Sequence, residues 1–204
     1  MRDGDGMSKV LALMGSPRKN KNTDRALEAM LTGMREIGHE VKKINIIDKD
    51  ISPCVGCGYC EKEGECVIKD DMDEIYEGFD NSNIFVIASP LYFNTVSSFM
   101  KKVIDRCQKV WAFKCNHNDT KYKGKDKKMG IFIGVGGADF YHDQFSAMVT
   151  TMDLVFKVID AKYIGNYFIS GTDKKNVSDR SDVMDELYNI GKNIDRQESF
   201  YLYR

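Results

Sequence analysis

The stretch Val10-Leu11-Ala12-Leu13-Met14-Gly15-Ser16-Pro17-Arg18-Lys19-Asn20-Lys21-Asn22-Thr23 decides how the rest of the chain is read. Its five opening apolar residues are too few for a helix and unbroken by polar ones. They read as a strand buried on both faces, as in a parallel sheet covered by helices. Gly15 and Pro17 end the strand. A loop of hydroxyls, amides and cations follows, and Thr23 is placed to cap the next helix. That helix carries the row Ala26, Leu27, Met30, Leu31, Met34 and Ile37, whose spacing is helical. A strand that runs through such a loop into a helix N-terminus is an anion site, because free amides and the positive end of the dipole face the same point. Ser16, Asn22 and Thr23 add neutral donors and Arg18 a charge. The loop lacks the three glycines of a dinucleotide fingerprint and the Gly-Lys-Ser/Thr of a triphosphate loop. A single phosphate monoester fits it better; an ordinary strand–turn–helix with a good cap is the competing reading.

The chain has 204 residues, enough for one domain with a sizeable core. Its 30 basic and 31 acidic residues leave a formal charge of −1, which argues against a nucleic-acid partner. No apolar run reaches the length of a membrane span, and no signal-peptide pattern opens the chain. Residues 1–7 read as a disordered polar leader in which Met7 makes a natural start. Six cysteines without an export signal point to a reducing compartment, by default the cytoplasm.

Beyond Gly38 the chain repeats the strand–helix unit. Val41, Ile44, Ile46 and Ile47 interleave with polar residues as a more exposed second strand. A cysteine-rich loop follows, and Met72, Ile75, Tyr76 and Phe79 line a short helix. Ile84-Phe85-Val86-Ile87-Ala88 is a wholly apolar third strand that ends in Ser89-Pro90-Leu91-Tyr92-Phe93-Asn94-Thr95. The pattern predicts a long helix from about Ser97 to Val110, then an extended polar loop from Trp111 to Lys128. Met129–Ile133 makes a fourth strand closed by Gly134-Val135-Gly136-Gly137. A helix over Phe145–Ile159, a fifth strand over Tyr163–Ile169 and a last helix from Asp179 to about Arg196 complete the series. Five such units predict an α/β fold, a flavodoxin-like three-layer sandwich. Its five-stranded parallel sheet has order 2-1-3-4-5 and helices on both faces. Ligands in such sheets bind beyond the carboxyl ends of the strands, between the first and third.

The loop after the third strand offers backbone amides to the polar edge of a planar ring and apolar surface to its face; a plain cap on the core is the alternative. Gly136-Gly137 permits close approach to a ligand, or a tight turn.

Together, Gly15-Ser16-Pro17-Arg18, Asn22-Thr23, Ser89-Pro90-Leu91-Tyr92, the helix segment Lys101-Lys102-Val103-Ile104-Asp105-Arg106 and the cysteine cluster resemble the NAD(P)H-dependent FMN reductase family, nearest its iron-sulfur flavoprotein branch. The resemblance runs from about Ser8 to Ile169. It implies FMN as cofactor, NAD(P)H as co-substrate, a small-molecule or protein electron acceptor, and a homodimer or homotetramer with flavins near subunit interfaces. Carried over by position, Ser16, Arg18, Asn22 and Thr23 hold the FMN phosphate. Pro90, Leu91, Tyr92, Phe93 and Asn94 border the isoalloxazine, with Gly136 and Gly137 alongside. Asp105-Arg106 reads as an ion pair or a tether to neighbouring loops.

Cys54-x2-Cys57-x2-Cys60-x5-Cys66 is a compact run with Gly56, Gly58 and Gly64 inside it. Its first three cysteines have the spacing that opens a ferredoxin-type run, and four thiolates hold a [4Fe–4S] cluster. Structural zinc is disfavoured because its ligands come as two separated pairs; reduced thiols or a labile disulfide remain open. Cys107 and Cys115 complete no second run, and His39, His117 and His142 show no ligand spacing. The lysine run Lys121–Lys128 reads as a solvated loop. The resulting expectation is a cytoplasmic flavin oxidoreductase in which no side chain is named as general acid or base. A non-enzymatic flavodoxin-like electron carrier, a cluster-free flavin or quinone reductase with a thiol or zinc cysteine loop, and a thiol- or zinc-based redox sensor are the alternatives. A charge of −1 counts against a carrier, since carriers dock through strong negative charge.

Overall fold

In the structure, a computed structural model, residues 7–116 and 128–204 are described. Residues 1–6 of the expected leader, and most of the expected lysine loop with His117, lie outside the described residues. Six parallel strands form one sheet: β1 (Lys9–Met14), β2 (Glu40–Asn45), β3 (Ile84–Pro90), β4 (Lys128–Val135), β5 (Ala161–Ile169) and β6 (Phe200–Tyr203). Their spatial order is β2-β1-β3-β4-β5-β6. This is the expected flavodoxin-like order with one strand more than the five expected. β6 adds Phe200–Tyr203 to the free edge of β5, pairing Gly165 with Phe200 and Phe168 with Tyr203.

Helices cover both faces: α1 (Asn22–Glu36), α2 (Tyr59–Glu63), α3 (Met72–Asn81), α4 (Ser98–Arg106), α5 (Gln108–Asn116), α6 (Ser146–Val158) and α7 (Ser181–Lys192). Strand side chains alternate between two cores, as the two-residue pleat requires. Val10, Ala12, Met14, Val86 and Ile133 pack with Leu27, Met30 and Leu31 of α1 and with Leu187 of α7. Leu11, Leu13, Phe85, Ile87 and Phe132 pack on the other face with Ile75 and Phe79 of α3, Met100 and Val103 of α4, and Met152 and Phe156 of α6. Strands buried on both sides therefore read as unbroken apolar runs.

α1 and α7 meet backbone to backbone. A Cβ added at Gly191 would lie 2.0 Å from the Met30 carbonyl oxygen, and one at Gly33 would lie 2.2 Å from that of Tyr188.

Three expectations need correction. Ile46 and Ile47 leave the second strand, which ends at Asn45, and form a 3₁₀ turn over Ile46–Asp48. The long helix after β3 breaks at Cys107 and resumes as α5, so Trp111–Asn116 is helical rather than the start of a loop. Thr23 does not cap α1: the N-cap is Lys21, without a side-chain cap bond, and Thr23 is buried in the first turn. A missing cap costs ~1 kcal/mol. Each fully buried apolar side chain of α1, such as Leu27 or Met30, contributes ~1.5–3 kcal/mol, so packing rather than capping holds the helix.

Candidate functional site

At the carboxyl end of β1 the chain is held before it reaches α1. The Gly15 amide donates to Ala88 O at 2.8 Å, and Gly15 O accepts from Ser97 Oγ at 2.5 Å. Ser97 is also the side-chain cap of α4, accepting from the Met100 amide at 3.1 Å. Its own amide donates to Ser89 Oγ at 3.0 Å, so two serines stitch the loop after β1 to the loop after β3. Ser16 is buried, and its Oγ accepts from the Arg18 amide at 3.1 Å. Asn20 sits in the left-handed region at φ 57°, with its amide bonded to Asp24 Oδ2 at 2.6 Å. Asn22 Oδ1 accepts from the Val177 amide at 3.0 Å, which ties the start of α1 to the segment before α7. With no side chain on its first-turn amides, the positive end of α1 opens onto a cavity of about 300 Å³.

That cavity is lined by Ser16, Arg18, Asn22 and Thr23 from the first loop, and by Pro90, Leu91 and Tyr92 from the loop after β3. Gly137 joins them from the loop after β4. Gly136, Phe93 and Asn94 stand next to this lining rather than in it. Gly136 is buried, and a Cβ there would lie 3.3 Å from Leu91 Cδ2. Nearer still, at 3.2 Å, is Gln144 Nε2, a buried nitrogen with no partner among the described residues, while Oε1 of the same group accepts from Ser170 Oγ. Phe93 and Asn94 both adopt positive φ, at 49° and 59°, in a turn closed by Tyr92 and Thr95 pairing both ways. A bulky residue held left-handed is strained, and such strain gathers where the chain contacts ligands. The Phe93 ring is fully exposed, while Asn94 Oδ1 accepts from Tyr141 OH.

Lys21, Thr172 and Asp173 also line the cavity and were not singled out from the sequence. Thr172 Oγ1 donates to Gly136 O at 3.0 Å, and a Cβ at Gly137 would lie 2.5 Å from Asp173 Oδ2. Both residues belong to the turn Gly171-Thr172-Asp173 after β5. The rule that ligands sit beyond strand carboxyl ends reaches that turn once β5 is placed beside β4.

The cysteine run follows β2 on the same rim, where Lys19 Nζ of the first loop is 2.5 Å from Asp48 Oδ1. Cys54, Cys57, Cys60 and Cys66 are free thiols that line a second cavity of about 400 Å³. Gly58 and Gly64 cap α2 at its two ends at φ 70° and 72°, a left-handed backbone that glycine adopts without strain. Among the described residues no three His, Cys, Asp or Glu side chains converge to metal-binding distance, so the sulfurs share a cavity without forming a coordination sphere. Cys107 is buried and its thiol is pushed up to about 12 by burial, as befits a core residue.

The cysteine loop is closed by a buried ion pair. Arg106 Nη1 lies 2.8 Å from Asp70 Oδ2, and both side chains are nearly solvent-free. Asp105, by contrast, pairs with Lys101 at 2.6 Å on the exposed face of α4. Burial raises the Asp70 carboxyl, but bonds from Arg106 and from the Ser52 and Met72 amides outweigh it and hold it below the usual carboxylate range. A depressed folded pKa stabilises the fold fully above the unfolded value of about 4, and the contribution fades as pH falls below it. Unfolding followed from pH 7 to pH 3 is therefore expected to be less acid-sensitive in Asp70→Asn, whose own stability is lower throughout. A wild-type slope retained in the variant would assign the acid loss to other carboxylates.

Among the described residues no helix is long and apolar enough to cross a membrane. An iron-sulfur flavoprotein of Archaeoglobus fulgidus is 43% identical over 131 residues, covering 63% of this chain and 56% of its own length. One from Methanocaldococcus jannaschii is 39% identical over 98 residues, covering 48% and 51%. The chain thus spans about half the length of these curated relatives. A solved NAD(P)H:quinone oxidoreductase from Methanothermobacter marburgensis shares the fold at 14% identity, with TM-score 0.70 over 95% of this chain and 98% of that one. The family model for NADPH-dependent FMN reductase matches residues 8–175, from β1 through the turn after β5 that completes the first cavity, and the chain belongs to that family.

Proposed function

We propose that the chain is an FMN-dependent oxidoreductase that takes a hydride from NAD(P)H and passes electrons to an acceptor by way of a [4Fe–4S] cluster on Cys54, Cys57, Cys60 and Cys66. The observation that carries the reading is the uncapped N-terminus of α1 opening onto a cavity shared by three strand-end loops. FMN fits that donor set: one phosphate for the α1 amides, Ser16, Arg18, Asn22 and Thr23, and hydroxyls for Thr172 and Asp173. A ring fits against Pro90, Leu91 and Tyr92. Gly136 and Gly137 leave room beside it, and Gln144 Nε2, which has no partner among the described residues, lies next to Gly136. A cluster fits the second cavity by its four thiols on one short loop. FMN supplies the hydride-accepting ring and the cluster a one-electron carrier, while the protein supplies binding and orientation.

This chain's own part is to hold the phosphate at a dipole, to fix the ring edge with backbone of the strained Phe93-Asn94 turn, and to leave one ring face reachable. The exposed Tyr92 and Phe93 rings suit a stacking partner, whether nicotinamide, acceptor or a second subunit of a homodimer or homotetramer. Free thiols at all six cysteines suit a reducing cytoplasm.

Arg18→Ala tests the phosphate assignment. A charge-assisted bond contributes about 1.5–3 kcal/mol, so FMN affinity should fall ~10- to 150-fold while riboflavin, which has no phosphate, binds as before. Equal losses for both ligands would remove the phosphate from this loop. Rapid bleaching of the visible flavin bands by NADH or NADPH is expected of the reductase, and slow bleaching would leave an electron carrier.

A further inference from the structure

Arg106 is 1% exposed and spends its guanidinium on the two ends of the cysteine loop. Nη1 donates to Ser52 O at 2.9 Å, two residues before Cys54, and to Asp70 Oδ2 at 2.8 Å. Nη2 donates to Ile68 O at 3.1 Å, two residues after Cys66, and to Asp70 Oδ1 at 3.2 Å. Asp70 Oδ2 in turn accepts from the Ser52 amide at 2.9 Å. One side chain on α4 therefore closes a loop of the sheet's far edge at both of its ends. Its position is fixed from behind as well, because Tyr76 OH donates to the Arg106 carbonyl at 2.8 Å.

Nη1 and Nη2 carry all four of these bonds. Arg106 Nε, however, is buried without a hydrogen-bond partner among the described residues, and Arg106 lines the same cavity as the four cysteines. An unpaired buried N–H is costly, and one kept in a native fold calls for a reason. The other cation on that lining, Lys109, is already 2.6 Å from Glu65 Oε2.

From this geometry we infer that Arg106 is a positioning residue for the cysteine-held group: it closes the loop, and it sets a positive charge in the wall of the cavity the sulfurs line, which raises the group's reduction potential. The inference rests on the reading of the cysteines as cluster ligands. One-electron reduction adds a negative charge to a cluster, and hydrogen bonds to sulfur and nearby positive charge favour that state. The sign of the effect separates this role from mere tethering. Arg106→Gln removes a positive charge from the cavity wall, whereas Asp70→Asn removes the negative charge that offsets it. Both loosen the loop, yet they move the potential in opposite directions.

The test is anaerobic reconstitution with iron and sulfide, followed by redox titration with dithionite and mediators and by iron counting in the presence of a chelator. Relative to wild type, Arg106→Gln should show a lower potential and Asp70→Asn a higher one, with several-fold faster iron loss in both. Arg106→Lys keeps the charge and should hold the potential near wild type while losing iron faster. FMN titration serves as the folding control, since the two cavities share no lining residue. If Arg106→Gln does not fold, Asp70→Asn decides alone, and an unchanged or lowered potential there overturns the inference. Shifts of the same sign in Arg106→Gln and Asp70→Asn also overturn it, leaving a tether only. Wild-type protein that takes up no iron brings down the cluster reading itself, and this inference with it. Loaded wild type with unmoved potentials in the variants brings down this inference alone.

Discussion

Gly191→Ala is expected to lower stability by ~2 kcal/mol and the melting temperature by ~4–8 °C, a large loss for one methyl group. The methyl would enter space 2.0 Å from Met30 O and 2.9 Å from Met30 C, both backbone atoms of α1 that cannot rotate away. The two helices must separate, and overpacking of that kind costs about 3 kcal/mol at the upper end of its range. Helix propensity favours alanine over glycine by about 1 kcal/mol, which offsets only part of the loss. The damage should reach the first cavity, because the N-terminus of α1 is tied to the segment before α7 through Asn22 Oδ1 and the Val177 amide. Thermal unfolding of the FMN-free protein and an FMN titration check both parts. An unchanged melting temperature would show that α1 and α7 separate at little cost.

The parallel sheet was legible because β1, β3 and β4 are buried on both faces and so appear as Val10–Met14, Ile84–Ala88 and Met129–Ile133 with almost no polar interruption. β6 was not, for a physical reason. It is four residues at an edge, and only Phe200 is buried, against a glycine at 165 whose absent side chain makes room for the ring. α5 was hidden because its apolar residues Val110, Trp111, Ala112 and Phe113 are consecutive rather than spaced by a helical turn. The start of α1 was misplaced by two residues because Ser16, Asn20, Asn22 and Thr23 all suit a cap, and only the backbone selects among them. Ser16, Arg18 and Asn22, singled out from the loop, line one cavity. Asn22's tie to Val177 spans 155 residues and belongs to the tertiary fold alone.

Arg106 illustrates what a motif conceals. Asp105 and Arg106 are neighbours of opposite charge, and the sequence cannot tell an ion pair from a tether. The helix turns Asp105 out towards Lys101 and Arg106 in towards Ser52, Ile68 and Asp70. Burying such a pair is of little net benefit, whereas removing one partner leaves an uncompensated charge at a cost of ~3–5 kcal/mol. The arrangement therefore earns its place through the geometry it imposes on the cysteine loop.

Cys60→Ser should abolish iron uptake without displacing FMN. Cys60 lies in the first turn of α2, between Gly58 and Gly64, and lines one cavity with Cys54, Cys57 and Cys66. Burial pushes its thiol above the ordinary value, and the neighbouring Cys66, Cys54 and Cys57 push in the same direction. Four thiolates on one short loop would repel one another, and a cation held among them would offset that repulsion. Aerobic purification is then expected to give protein with FMN bound and with free thiols or a Cys–Cys bond in this loop. Anaerobic reconstitution of the wild type should load about four irons per chain, and of Cys60→Ser close to none. FMN affinity should be equal in the two proteins, because the cysteine cavity and the first cavity, where FMN is proposed to bind, have no lining residue in common. Full iron loading in Cys60→Ser would remove that residue from the ligand set. Wild-type protein that still holds no iron would leave a flavin reductase whose cysteines serve as thiols.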